Sequence, residues 1–210
     1  MIPGPPRILK CPFCGMKKEV MTLVSGNTCG AEYWSDGKII APMLPKVSFV
    51  QKCPRCKKYY IMGRQRDSFP NQIESRTNGG FTLERGLLSF SEMKEAFAQL
   101  SSEGFQGEEE EAQVRIMLHY AYNDYYYRSE DKKEDNEEDR KLFHDNALWL
   151  IENFIVDNLL KAEFYREIGE FETSHNVLKS VDVEDGFLKD ILSSIQKRLE
   201  LKDCEVFKIR

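Results

Sequence analysis

Apolar positions change period once along the chain, near residue 87. Before that point they come in short runs: Val20-Met-Thr-Leu-Val24, Tyr33-Trp34, Val47-Ser-Phe-Val-Gln51 and Tyr59-Tyr-Ile-Met62. Runs of this length, broken by Ser25-Gly-Asn-Thr28 and by the turn signal Ser35-Asp-Gly37, predict strands joined as hairpins. Pro42 and Pro45 keep their segment out of a helix. Residues 63–86, with Pro70 and Asn78-Gly-Gly80, read as an irregular linker.

Beyond residue 87 the period is helical. Ser89-Phe-Ser-Glu92 forms a capping box, in which a hydroxyl and a carboxylate satisfy orphan amides, and it predicts a helix near 91–100. Glu108, Glu109, Glu110 and Glu111 bring negative charge to the positive end of the next helix. That helix sets Val114, Met117, Leu118, Ala121, Tyr122 and Tyr125 on one stripe. The almost wholly charged stretch 129–139 predicts a solvated loop, after which Leu142, Phe143, Ala147, Leu150 and Ile151 resume the helical spacing. Segments 159–168, 171–181 and 187–201 predict three more amphipathic helices, punctuated by Gly169 and by 182–186. The expected class is α+β: a small N-terminal β ribbon over 1–66, a linker over 67–86 and a larger all-α domain over 87–210.

Charge follows the same division. A net −5 conceals +9 over residues 1–66 and −14 over the remainder. With 41% hydrophobic and 31% charged residues, the 210-residue chain has a globular composition, neither disordered nor membranous. No apolar run approaches the roughly 20 residues that cross a bilayer. The opening Met1-Ile-Pro-Gly-Pro-Pro-Arg7 lacks the apolar stretch of a secretion signal, so the expected location is cytoplasmic.

Four of the six cysteines form two Cys-Pro-x-Cys pairs, Cys11/Cys14 and Cys53/Cys56. Cysteines at this spacing direct both sulfurs at one ion, and two pairs complete a tetrahedral S4 shell suited to Zn2+. Each proline fixes φ behind the first cysteine, and Gly15 permits the left-handed backbone that turns amides toward the sulfurs. The 38 residues between the pairs exceed the compact spacing. That costs little, since doubling a loop adds only about 0.6 kcal/mol of closure entropy. Disulfides are the weaker reading in a reducing compartment. A thioredoxin-like dithiol needs a single pair beside a βαβ unit, which the pattern lacks. Iron in a rubredoxin-type S4 site, with Tyr33 and Trp34 as its aromatic surround, is the alternative metal. Four thiolates close the shell, so the ion is structural rather than catalytic. Cys29 and Cys204 read as packed residues outside it.

At these residues the chain resembles the zinc-ribbon family, over about residues 9–62. The resemblance implies paired knuckles at hairpin tips. The chain departs from the family pattern at Lys57, where a second glycine is usual. Farther on, Ala162, Tyr165, Gly169, Phe171, Ser174 and Leu178 resemble one tetratricopeptide (TPR) repeat, with departures at Asn158 and Lys161. This second resemblance implies paired helices, with 108–128 and 138–152 as an earlier pair and 186–201 as a closing helix. An ordinary helix bundle is the alternative. The layout of ribbon followed by such helices is also similar to uncharacterised bacterial protein families, and no activity comes with that similarity.

Chemistry beyond the cysteines is sparse. Tyr120, Tyr122, Tyr125, Tyr126 and Tyr127 crowd one helix, where spacing assigns them mostly to packing. Arg115, Asn123, Asp124 and Arg128 run along the same helix, and Asp124 to Arg128 has ion-pair spacing. His119, His144 and His175 show no ligand or catalytic spacing, and no nucleotide-binding or acyl-transfer signature is present. These features favour a non-enzymatic, zinc-binding adaptor or scaffold whose helices contact a protein partner. The alternative is a nucleic-acid-binding protein using Lys10, Lys17, Lys18, Lys52, Arg55, Lys57 and Lys58. Residues 87–210 are expected to fold without ribbon or metal.

Overall fold

The computed structural model describes residues 2–5, 7–20, 22–44, 48–62, 64, 87–131, 133–184 and 186–209. The linker expected over 67–86 and Val47 of the third apolar run lie outside the described residues. Among the described residues the class is α+β: short antiparallel hairpins between Ile2 and Ile61, then six helices between Phe90 and Glu200. No helix among them is long and apolar enough to cross a membrane.

Two compact units form, and neither is one continuous stretch. Met1–Ala31 and Ala41–Gly104 make the first, Glu32–Ile40 and Phe105–Arg210 the second. This division differs from the 1–66 and 87–210 boundaries drawn from charge and residue pattern. The first helix goes with the hairpins, and one hairpin goes with the helices.

In the first unit, β1 (Ile2–Pro3) pairs with β4 (Leu23–Ser25), and β2 (Arg7–Lys10) pairs with β3 (Lys17–Val20). β7 (Val50–Lys52) pairs with β8 (Tyr59–Ile61), setting Val50 opposite Ile61 and Lys52 opposite Tyr59. α1 (Phe90–Glu103) starts at Ser89 with the expected capping box and buries Phe90, Met93, Ala96 and Leu100. The edge of β8 exposes backbone groups that need partners, and α1 supplies them. The Gln99 side chain accepts the Tyr59 N–H at 3.0 Å and donates to the Tyr59 carbonyl at 2.9 Å. The Tyr59 hydroxyl donates to Glu95 at 2.7 Å, and Lys52 meets Glu92 at 2.9 Å.

In the second unit, β5 (Glu32–Tyr33) and β6 (Ile39–Ile40) form a hairpin that the C-terminal segment extends. The Ser35 N–H donates to the Phe207 carbonyl at 2.9 Å, the Phe207 N–H to Ser35 Oγ at 3.1 Å, and the Ile209 N–H to the Tyr33 carbonyl at 2.7 Å. α2 (Glu108–Tyr126), α3 (Glu137–Asn153), α4 (Asn158–Glu167), α5 (Phe171–Leu178) and α6 (Gly186–Glu200) each pack against the next, and α6 also touches α4. Asn136 and Asp157 cap α3 and α4 through side-chain oxygens. Gly169, at φ 82°, ends α4 in a Schellman motif, with the Glu170 N–H donating to Tyr165 and the Gly169 N–H to Arg166. Where α5 packs on α4, fully buried Ser174 donates to the Ala162 carbonyl at 2.6 Å.

The stripe read on α2 holds for Val114, Leu118, Ala121 and Tyr122, all buried. Tyr125 is instead 39% exposed. Tyr126 takes its place inside because its hydroxyl donates to buried Asp139 at 2.6 Å.

Candidate metal centre

Each cysteine pair occupies the loop of a hairpin, and the two loops repeat one hydrogen-bond pattern. The Cys11 N–H donates to Met16 at 2.8 Å and the Gly15 N–H to Cys11 at 3.0 Å. The Cys53 N–H donates to Lys58 at 2.9 Å and the Lys57 N–H to Cys53 at 3.0 Å. Gly15 has φ 70° and Lys57 has φ 62°, so the unusual residue in the second loop adopts the glycine backbone. A left-handed L-residue costs about 1–2 kcal/mol, and glycine returns part of that as unfolded-chain entropy. Lys57→Gly should therefore keep the cluster intact and leave the melting temperature unchanged or slightly raised, whereas Gly15→Val should lower it. Thermal melts of the two variants check this, and a clear loss of stability in Lys57→Gly would contradict the loop geometry.

The four Sγ atoms lie within 4.8 Å of one another, with Cys11 to Cys56 and Cys14 to Cys53 each at 3.6 Å. A disulfide needs a sulfur separation of about 2.05 Å, so these are four free thiols. Tetrahedral coordination with metal–sulfur bonds of about 2.3 Å sets the sulfurs about 3.8 Å apart. The cluster fits a metal ion held by Cys11, Cys14, Cys53 and Cys56. Among the described residues it is the one grouping of His, Cys, Asp or Glu that does so.

Electrostatics agree with the geometry. Burial opposes ionisation of Cys53, but backbone amides of Cys56 and Arg55 and the thiols of Cys56 and Cys14 draw its pKa down to about 6. At Cys56 the Lys58 amide acts in the same sense. There, desolvation and the neighbouring sulfurs prevail and push the thiol up to about 12. Four adjacent sulfurs do not all carry charge without a cation among them. Tyr60 is packed against the cluster, and burial followed by the four sulfurs raises its phenol to about 12.

Comparison with protein families, curated proteins and solved structures gave no match. The site therefore rests on its own geometry.

Other residues singled out by sequence fall elsewhere. Cys29 is exposed rather than packed as expected, Cys204 is half-buried, and neither is within the cluster. Tyr33 and Trp34 belong to the second unit. Among the cations of the ribbon, Lys52 is committed to Tyr59 and Glu92, whose hydrogen bonds raise its pKa. Lys10, Arg55, Lys57 and Lys58 are exposed, and Lys58 lies 4.6 Å from the ring centre of Phe13.

A second polar cluster takes in Asn123 and Arg128, which the sequence set along one helix, and adds Asp36, His119 and Glu167, which it did not bring to them. In the second unit, buried Asp36 accepts from Asn123 Nδ2 at 3.0 Å and pairs with Arg128. Asn123 Nδ2 also donates to Glu167 at 3.0 Å, and His119 Nε2 meets the same carboxylate at 2.9 Å. The His119 ring stacks on Phe164 at 4.1 Å and on Phe143 at 4.6 Å. Burial pushes the Glu167 carboxyl up, against the pull of His119. Buried Arg166 binds Glu163 and donates to the carbonyls of Asp203 and Glu205, tying the C-terminal segment to α4. Asp36 lies 87 positions from Asn123, so no local pattern announces the pair.

Proposed function

We propose that the chain is a non-enzymatic adaptor or scaffold: one structural Zn2+ closes the first unit, and the helices of the second bind a protein partner. The observation that carries the first half is the closed set of four sulfurs, which leaves no coordination position for a substrate. Zinc is proposed because a closed shell of four cysteines is a common structural zinc site, with iron in the same S4 shell as the alternative. The adaptor half is supported by repeat-like features in α4 to α6. These are the Gly169 turn, the small-residue contact of Ala162 with Ser174, and an α6 that touches both preceding helices. Elemental analysis should find one zinc per chain, absent in Cys11→Ser and Cys53→Ser and retained in Cys204→Ser. Metal uptake must displace the Cys56 proton, so apparent affinity should rise with pH. Iron in the purified protein, or zinc retained by both ligand variants, would overturn the metal assignment. For the adaptor, full-length bait in native lysate should capture a discrete partner, and an empty capture at high bait concentration counts against it.

A second reading, binding of single-stranded nucleic acid by the first unit, is favoured by one observation. Phe13 is 42% exposed at a loop tip with Lys58 over its ring and Arg55 and Lys57 exposed nearby in sequence. Stacking faces beside cations are what such ligands require. Affinity should fall steeply as salt rises, and Phe13→Ala should weaken binding by about 1–3 kcal/mol. No binding at low salt would remove this reading.

A further inference from the structure

Between α5 and α6 the second unit carries an open groove of about 470 Å³ lined by Phe171, Glu172, His175, Gln196, Leu199 and Glu200. Its size falls within the roughly 300–1,000 Å³ of ligand-binding clefts. Leu199 is 8% exposed and Phe171 half-buried, and both join the apolar cluster of Ala162, Leu178 and Ile195. They give the groove an apolar floor. Glu172 comes from α5 and Glu200 from α6, so carboxylates face the groove from both helices. Both are exposed, and neither carboxylate has a hydrogen bond or ion pair among the described residues.

We propose that this groove receives a lysine or arginine side chain of a protein partner, its aliphatic stem on Phe171 and Leu199 and its cationic head between Glu172 and Glu200. The assignment rests on the adaptor reading and gives that partner a chemistry. Long cationic side chains bury their stems on apolar surface while the head stays near water, which matches an apolar floor between polar walls. A purely aliphatic occupant would crowd two carboxylates without compensating them, and an acidic one would be repelled. The charge of −14 carried beyond residue 66 adds attraction at long range for a basic segment.

The test uses the full-length zinc-loaded chain, labelled with nitrogen-15. The probes are short capped peptides alternating leucine with arginine, lysine, citrulline or glutamate. Citrulline keeps the shape of arginine without its charge. Arginine and lysine peptides should shift the amides of Phe171, His175, Gln196 and Leu199. Citrulline should bind about tenfold more weakly, and E172Q/E200Q should lose about five- to tenfold in affinity for the arginine peptide at an unchanged melting temperature. Equal binding of the citrulline peptide, shifts confined to other elements, or unaltered affinity in E172Q/E200Q would overturn the assignment. A concentration-dependent dimer abolished by E172Q/E200Q would also overturn it, giving the groove to a second copy of the chain. A lysate partner captured equally by wild type and E172Q/E200Q overturns the groove while leaving the adaptor reading standing. Peptide binding in the groove with no partner captured supports the groove while the adaptor reading fails.

Discussion

Removing the metal should unfold the whole first unit, α1 included, and leave the second unit folded. The reason is the size of the unit's core. Its hairpins are two to four residues per strand, and small domains bury too little surface to fold on that alone. Structural zinc in small domains contributes about 10–16 kcal/mol, as much as the whole stability of an ordinary domain. Helix α1 depends on the same hairpins, because Gln99, Glu95 and Glu92 all bond to β7–β8 or the residues flanking it. A 14-residue helix is at the edge of stability by itself. Chelation should therefore remove about one sixth of the described helical signal in far-ultraviolet circular dichroism. It should also strip hydrogen-exchange protection from α1 while α2 to α5 keep theirs. Undiminished protection of α1 after complete chelation would show that the helix does not need the metal-bound hairpins.

The two kinds of site differ in how far the sequence discloses them. The cysteine cluster is legible because its chemistry is local: each pair lies within one loop, and the spacing alone aims two sulfurs at one point. Helices α1 to α6 are legible for a similar reason, since capping by Ser89, the glutamates at 108–111 and the break at Gly169 act within a turn of where they stand. The hairpin Glu32–Ile40 is different. Its first strand and its Ser35-Asp-Gly37 turn were readable, but its second strand and the unit it joins were not, because a hairpin carries no mark of its partner. The basic composition on either side of it suggested membership in the ribbon, whereas the buried partners of Asp36 are Asn123 on α2 and Arg128 just past its end. His119 shows the same limit. Its neighbours in sequence suggest a packing or surface histidine, and the carboxylate it meets belongs to α4, at Glu167. The conformation of Lys57 was likewise concealed, because the backbone of a loop closed by two hydrogen bonds overrides a residue's own preference.

Replacing Asp36 with alanine should destabilise the second unit more than any other single charge removal in the hairpin. Asp36 and the Arg128 side chain are almost fully enclosed, at 0% and 5% exposure, and Asn123 is enclosed with them. Asp36→Ala takes the buried carboxylate away from an interior guanidinium and amide, leaving them only Glu167 and half-exposed Asp124. Breaking a buried pair from one side costs about 3–5 kcal/mol, because the remaining charge keeps its desolvation penalty. For a unit of this length, that corresponds to a fall in melting temperature of about 10 °C or more. Asp124 is the internal control: it also pairs with Arg128, at 2.9 Å, but is 39% exposed, so Asp124→Ala should cost about 1 kcal/mol or less. A fragment spanning 87–210 lacks Asp36 and Ser35 together and should melt at least as low as Asp36→Ala. The apolar stripes alone lead to the opposite expectation, that those residues are self-sufficient. Thermal melts of the two variants and the fragment decide the matter. Equal stability of Asp36→Ala and Asp124→Ala would mean that the hairpin rests on the helices without anchoring them.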